Sequence, residues 1–185
     1  MRIFGIDPGS VRTGLGCRRC RRSRHRLVAC GAITAPARLP FPERLLTIHS
    51  ALVAELARCR PDCVAVEALF HAVNARSALQ LGHARGVALL AAVQAGLPIA
   101  EYPPAEVKRA VVCYGRAEKP QVQHMVCLLL GLDALPGPLD VSDALAVAIC
   151  HVHALRPAAV EAQIDPRAAR QPRSWRNFRP DAPRP

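Results

Sequence analysis

The segment Cys63-Val-Ala-Val-Glu67 limits the fold more than any other stretch of the chain. It is apolar, rich in β-branched residues and bounded by Pro61-Asp62, so it is too short for a helix and reads as a buried strand. It lies between two long segments with helical character. Across residues 40–60, Leu45, Leu46, Ile48, His49, Leu52, Val53 and Leu56 recur at helical intervals. Residues 74–95 form a second helix pattern, stopped by Gly96 and Pro98. A strand set between two helices points to an α/β domain.

The flanking sequence fills in the rest of the sheet. Residues 2–7 are a short apolar run closing on the turn signal Asp7-Pro-Gly-Ser10. Residues 14–20 and 26–33 read as two further strands joined by an arginine-rich turn, and residues 98–102 as a fifth. Helical patterns follow over 105–112, 120–130 and 141–155. The expectation is a mixed five-stranded sheet flanked by helices in one domain, residues 1–157. Residues 158–185 lose periodicity, fill with Pro and Arg, and read as a disordered tail. Hydrophobic residues reach 51% but aromatics only 4%, so the core must be aliphatic.

No run of 18 uncharged apolar residues occurs and the first residues lack a signal-peptide core, so the chain is expected to be soluble and cytoplasmic. In that compartment its eight cysteines are reduced thiols rather than a disulfide framework. Zinc held by Cys17, Cys20, Cys59 and Cys63 is the weaker reading. Cys20 sits among arginines and Cys63 opens a buried strand, so small apolar filler accounts better for most of them.

The formal net charge of +11 is concentrated in two places. Residues 17–26 carry six arginines and no acid, and the last 28 residues carry six more against three acids. Two basic segments on a nearly neutral body suit a polyanionic partner.

Against this background, four of the 14 acids stand in unusual positions. Asp7 closes the first strand and Glu67 the fourth, each directly after residues that read as sheet interior. Asp140 and Asp143 open the last helix three residues apart, so they share a face. Singly, each acid has a plainer use. Asp7 could shape the Pro-Gly turn and Asp140 could cap the helix, although Glu67 has no equivalent local role. Together in one cleft they would repel by about 4 kcal/mol per pair at 4 Å in a medium of effective dielectric 20. Divalent cations remove that penalty, and hard carboxylate oxygens suit Mg²⁺ or Mn²⁺ better than zinc.

The motifs that hold these acids resemble RuvC-type Holliday junction resolvases. The resemblance rests on Phe4-Gly-Ile-Asp-Pro-Gly-Ser10 with Thr13-Gly14, and on Val66-Glu67 followed by Phe70 and residues 74–86. It extends through Val107-Lys108, residues 117–125 and Asp140-Val-Ser-Asp-Ala-Leu-Ala146. It covers residues 1 to 155 in order and carries all four acids. It implies an RNase H-like fold and a homodimer that binds a four-way DNA junction and makes paired symmetric nicks. It further implies that Asp7, Glu67, Asp140 and Asp143 are the catalytic metal ligands, with two ions per site, and that a RuvA–RuvB-like branch-migration complex is a partner.

The chain has only two lysines, Lys108 and Lys119, among 23 arginines, and both fall where that family's functional lysines lie. An ammonium is a compact point charge suited to a crowded phosphate site. Lys119 is therefore expected beside the scissile phosphate, and Lys108 on the DNA backbone. Phe70 is expected to stack on an unpaired base, and Arg76 and Arg85 to meet DNA. Small residues at Ala75, Ala78, Gly82, Gly86 and Ala92 would allow close approach either to the sheet or to a partner subunit, and the resemblance implies the partner. The chain departs from the family where Val73 and Gln80 replace common basic residues, and in the unusually basic segment 17–26.

Rival readings are a non-catalytic junction binder and a resolvase-like RNA-processing nuclease. A third starts from the faint echo, in Gly5–Gly14, of the phosphate loop of sugar kinases and actin-like ATPases. That fold needs a second such loop, and none occurs.

Overall fold

The computed structural model describes residues 1–21, 24–68 and 74–155, and those up to Ala154 form one compact unit. Strands β1 (Arg2–Asp7), β2 (Arg12–Arg21) and β3 (Arg24–Thr34) form an antiparallel meander. Helix α1 (Phe41–Cys59) leads to β4 (Cys63–Glu67), and α2 (Ala75–Gln94) leads to β5 (Ile99–Tyr102). Both strands add in parallel, giving the order β3-β2-β1-β4-β5. Helices α3 (Pro104–Val112), α4 (Lys119–Leu130) and α5 (Leu139–Ala154) complete the domain. The expected fold class is the one observed. The tail from residue 158 and Phe70 lie outside the described residues. Among the described residues, no helix is long and apolar enough to cross a membrane.

Two cores form, one on each face of the sheet. Phe4, Ile6, Leu15, Val64 and Val66 meet Ile48, Leu52 and Leu56 of α1 and the alanines Ala84, Ala88 and Ala91 of α2. On the other face Ile3 and Ala65 meet Leu145, Ala148 and Ile149 of α5, backed by Val107 and Val126. Apart from Phe4, these side chains are aliphatic, as the scarcity of aromatics requires. Helix α5 is buried along nearly its whole length.

Two boundaries differ from expectation for physical reasons. The arginine-rich segment is mostly strand, because the β2–β3 ladder continues to Arg21 opposite Arg24, with a bulge at Cys17/Arg18. Backbone pairing there outlasts the charge repulsion. Helix α5 starts at Leu139, earlier than the apolar pattern suggests, so Asp140 lies inside its first turn and is not a cap. Asn74 does cap α2, accepting a hydrogen bond from the Ser77 N–H at 2.8 Å.

Candidate active site

The neighbouring parallel strands β1 and β4 end side by side, since Ile6 lies opposite Val66. Asp7 and Glu67 are the next residues on each strand, so their carboxyl groups are brought together at one end of the sheet. The turn after Asp7 does not depend on that acid. Thr13 secures it, its hydroxyl donating to the Gly9 carbonyl at 2.9 Å. Arg44, buried on α1, donates to the Ser10 carbonyl from Nε at 2.9 Å and holds the same loop against the helix.

The start of α5 lies against β1 and β2, and glycines make this possible. A Cβ on Gly14 would overlap the Asp140 carbonyl oxygen, and one on Gly5 the Ala144 carbonyl oxygen. A Cβ on Gly16 would strike the Leu145 side chain. The helix backbone thus descends onto the strands far enough to deliver Asp140 and Asp143 to the ends of β1 and β4. Asp7 faces Gly14 across the β1–β2 ladder, which ties the two halves of the site together.

The electrostatics record this convergence. Burial pushes the Asp7 carboxyl up to about 8, and the charges of Glu67, Asp143 and Asp140 push in the same direction while Lys119 opposes them. Glu67 is also raised, first by burial and then by Asp143; Lys119, a hydrogen bond with Asp7, and Lys108 pull it back. Burial would lower the Lys119 ammonium, but its bond to Asp143 and the charges of Asp143, Asp7 and Asp140 outweigh that and raise it. Lys119 Nζ donates to Asp143 Oδ2 at 2.6 Å, and Arg12 lies 3.5 Å from Asp140 Oδ2.

All four predicted acids and Lys119 therefore lie close enough to act on one another, with Lys108 near enough to Glu67 to act on it. As the side chains stand, no three His, Cys, Asp or Glu groups among the described residues are arranged so that they could hold a metal ion. Asp143 and Asp140 are held instead by Lys119 and Arg12. The donor set still fits hard divalent cations. It offers only carboxylate oxygens, and Asp7 keeps a proton into the neutral range because it is buried and, second, because it faces other carboxylates.

The other predicted contacts scatter. Arg76 is exposed on the first turn of α2. Arg85 is ion-paired with Glu101 of β5 and only 21% exposed. Sequence reasoning missed Arg12 as the partner of Asp140, and missed the reason for Gly5, Gly14 and Gly16. The glycines left a signal: in β2 they alternate at two-residue spacing, so they line one face of the strand.

A mixed sheet of this order, with acids at the ends of its central parallel strands and on a helix laid across them, places the molecule in the RNase H-like nuclease class. Residues 3–151 match the family described as crossover junction endodeoxyribonuclease RuvC. A curated relative from Chloroflexus aurantiacus is 52% identical over 153 residues, 83% of this chain and 93% of its own. One from Syntrophomonas wolfei is 49% identical over 156 residues, 84% of this chain and 91% of its own. The structure of Thermus thermophilus RuvC in complex with a Holliday junction substrate is 35% identical. It superimposes with a TM-score of 0.75, covering 82% of this chain and 93% of that one. The chain belongs to the RuvC family of crossover junction endodeoxyribonucleases.

Proposed function

We propose that this family member resolves four-way DNA junctions as a homodimer, each subunit nicking one of two symmetric strands with divalent cations held by Asp7, Glu67, Asp140 and Asp143. The observation that carries the reading is geometric: parallel strands β1 and β4 end side by side on Asp7 and Glu67, and the close approach of α5 at Gly5 and Gly14 brings Asp140 and Asp143 to them. When bound, two Mg²⁺ or Mn²⁺ ions would activate water for in-line attack on phosphorus and stabilise the departing 3′ oxygen. Asp7 and Glu67 hold the ligand oxygens from the rigid sheet, and Asp140 and Asp143 hold them from α5. Lys119, which donates to Asp143, would supply its ammonium to the scissile phosphate. Lys108 contacts the neighbouring backbone, and Arg76 reaches the same strand from the exposed start of α2.

The dimer reading rests on α2. Leu79, Leu90 and Val93 are 64%, 50% and 63% exposed, and a Cβ on Gly82 or Gly86 would meet nothing within 4 Å. These positions recur at three- and four-residue spacing, so they form one unpartnered apolar stripe of the kind a two-fold interface buries. A RuvA–RuvB-like motor as partner, and action in the cytoplasm, follow from family membership as parts of the same proposal.

The test incubates the protein with a synthetic four-way junction and with a linear duplex, with and without Mg²⁺. Paired symmetric nicks in the junction alone, and only with metal, are expected. Equal cutting of the duplex, or cutting without any divalent cation, would overturn the reading.

A further inference from the structure

The end of the sheet away from the carboxylates carries a feature that nuclease chemistry does not use. Arg2, Arg19 and Arg26 stand in one transverse row, because Arg2 pairs with Arg19 across β1–β2 and Arg19 with Arg26 across β2–β3. Strand alternation puts them on the face of Phe4 and Cys17, just past the end of α1. Arg18 points the other way, is fully buried, and bonds to the Ala148 carbonyl at 3.5 Å. Only alternate arginines are therefore displayed on this face.

Arg2 is tied down, its guanidinium donating to the Cys59 carbonyl at 2.9 Å. Asp62 accepts from the Arg2 backbone N–H at 2.6 Å, and Glu55 is engaged by Arg58. Arg19 and Arg26 are exposed, and among the described residues neither is ion-paired with an acid. Like charges directly opposite on neighbouring strands destabilise a sheet. A row whose neighbouring acids are engaged elsewhere points to an anion supplied from outside the chain.

We propose that Arg19 and Arg26 grip the phosphate backbone of a junction arm away from the cut. The proposal rests on the function given above for its substrate, but not for its chemistry. The guanidinium fork matches phosphate oxygens. Among the described residues the large apolar side chains exposed nearby are Met1, at 48%, and Val28, at 42%, whereas a protein partner would call for a contiguous apolar centre. From Asp7 back to Arg2 the strand covers roughly 17 Å at about 3.3 Å per residue. For an arm running along β1, at about 3.4 Å per base pair, the contact would fall about five base pairs from the cleaved phosphate.

The test compares wild type with an Arg19→Ser/Arg26→Ser double variant and a doubly lysine-substituted control. Affinity is measured against salt, without metal, on a long-armed junction, a junction with arms trimmed to about four base pairs, and a linear duplex. The serine variant should lose about two from the slope of log affinity against log salt on the long arms and on the duplex. It should lose nothing on the trimmed junction. The lysine control should keep the slope, and melting temperatures should agree among all three proteins. An unchanged slope on long arms would overturn the proposal and leave the row to an acidic protein surface. Equal losses on trimmed arms would also overturn it, by moving the contact to the crossover. If wild type binds duplex with the predicted slope but never nicks a junction, the proposed function fails and the arginine contact stands.

Discussion

Lys119 and Asp7 show how single side chains report on the site. Lys119 is bonded to Asp143 and sits among acids that hold it charged. Replacing it by arginine keeps the charge but substitutes a planar fork for a point donor. Single-turnover cleavage should fall on the order of 10²-fold with junction affinity nearly intact; an unchanged rate would remove Lys119 from the chemistry. Asp7 gives a pH signature. In the fold its carboxyl holds a proton up to about 8, while in the unfolded chain it has released it from about pH 4 upward. The folded state thus binds more protons in that window, and metal-free stability should decline as pH rises from about 4 to about 8. Asp7→Asn should flatten this decline, raise neutral-pH stability by ~1–2 kcal/mol and abolish cleavage. Thermal melts with and without Mg²⁺ check it, and Mg²⁺ should rescue the wild type alone. Asp7 and Glu67 were legible in the sequence because a carboxylate directly after an apolar β run has few structural uses. Arg12 was not, because its pairing with Asp140 depends on where α5 comes to rest.

At the scale of elements, the site depends on α5 reaching the sheet. Gly14→Ala would drive a methyl group into the Asp140 carbonyl, and no flexible side chain lies between them to yield. The expected cost is about 3 kcal/mol or more. Because the shift falls on the helix turn bearing two acids, cleavage should fall further than the loss of folded protein explains. Gly31→Ala, where a Cβ meets nothing within 4 Å, serves as the control and should change neither melting temperature nor rate. Equal behaviour of the two variants would refute the close-approach account. The helices and strands were readable from periodicity because each buries one face in a local pattern. How far the strands run into the arginine-rich turn was not, since ladder bonds between β2 and β3 are non-local and indifferent to side-chain charge. Arg18 illustrates the limit: sequence placed it on the second strand within a basic segment suited to a polyanionic partner, and register turned its side chain into the core.

For the whole molecule, the open question is what covers the apolar stripe of α2. A charge at Leu90, as Leu90→Glu, should leave the fold intact because the position is half exposed, yet shift the protein to monomer in sedimentation experiments. Junction nicking should then lose its pairing, yielding single nicks in place of coordinated ones. A variant that stays dimeric would move the interface off this stripe. The amino-acid sequence by itself determined the fold class, the order of elements and the identity of the four acids. The first two follow from local periodicity; Asp7 and Glu67 stood out as carboxylates at buried strand ends, Asp140 and Asp143 by their shared face at a helix start, and the family resemblance joined the four as candidates. Tertiary structure alone decided that strands β1 and β4 are adjacent, that glycines let α5 descend onto them, and that the arginines divide between a buried face and a displayed row. Each of these is set by which distant backbones pair and pack, a property of the assembled sheet that no single stretch of chain encodes.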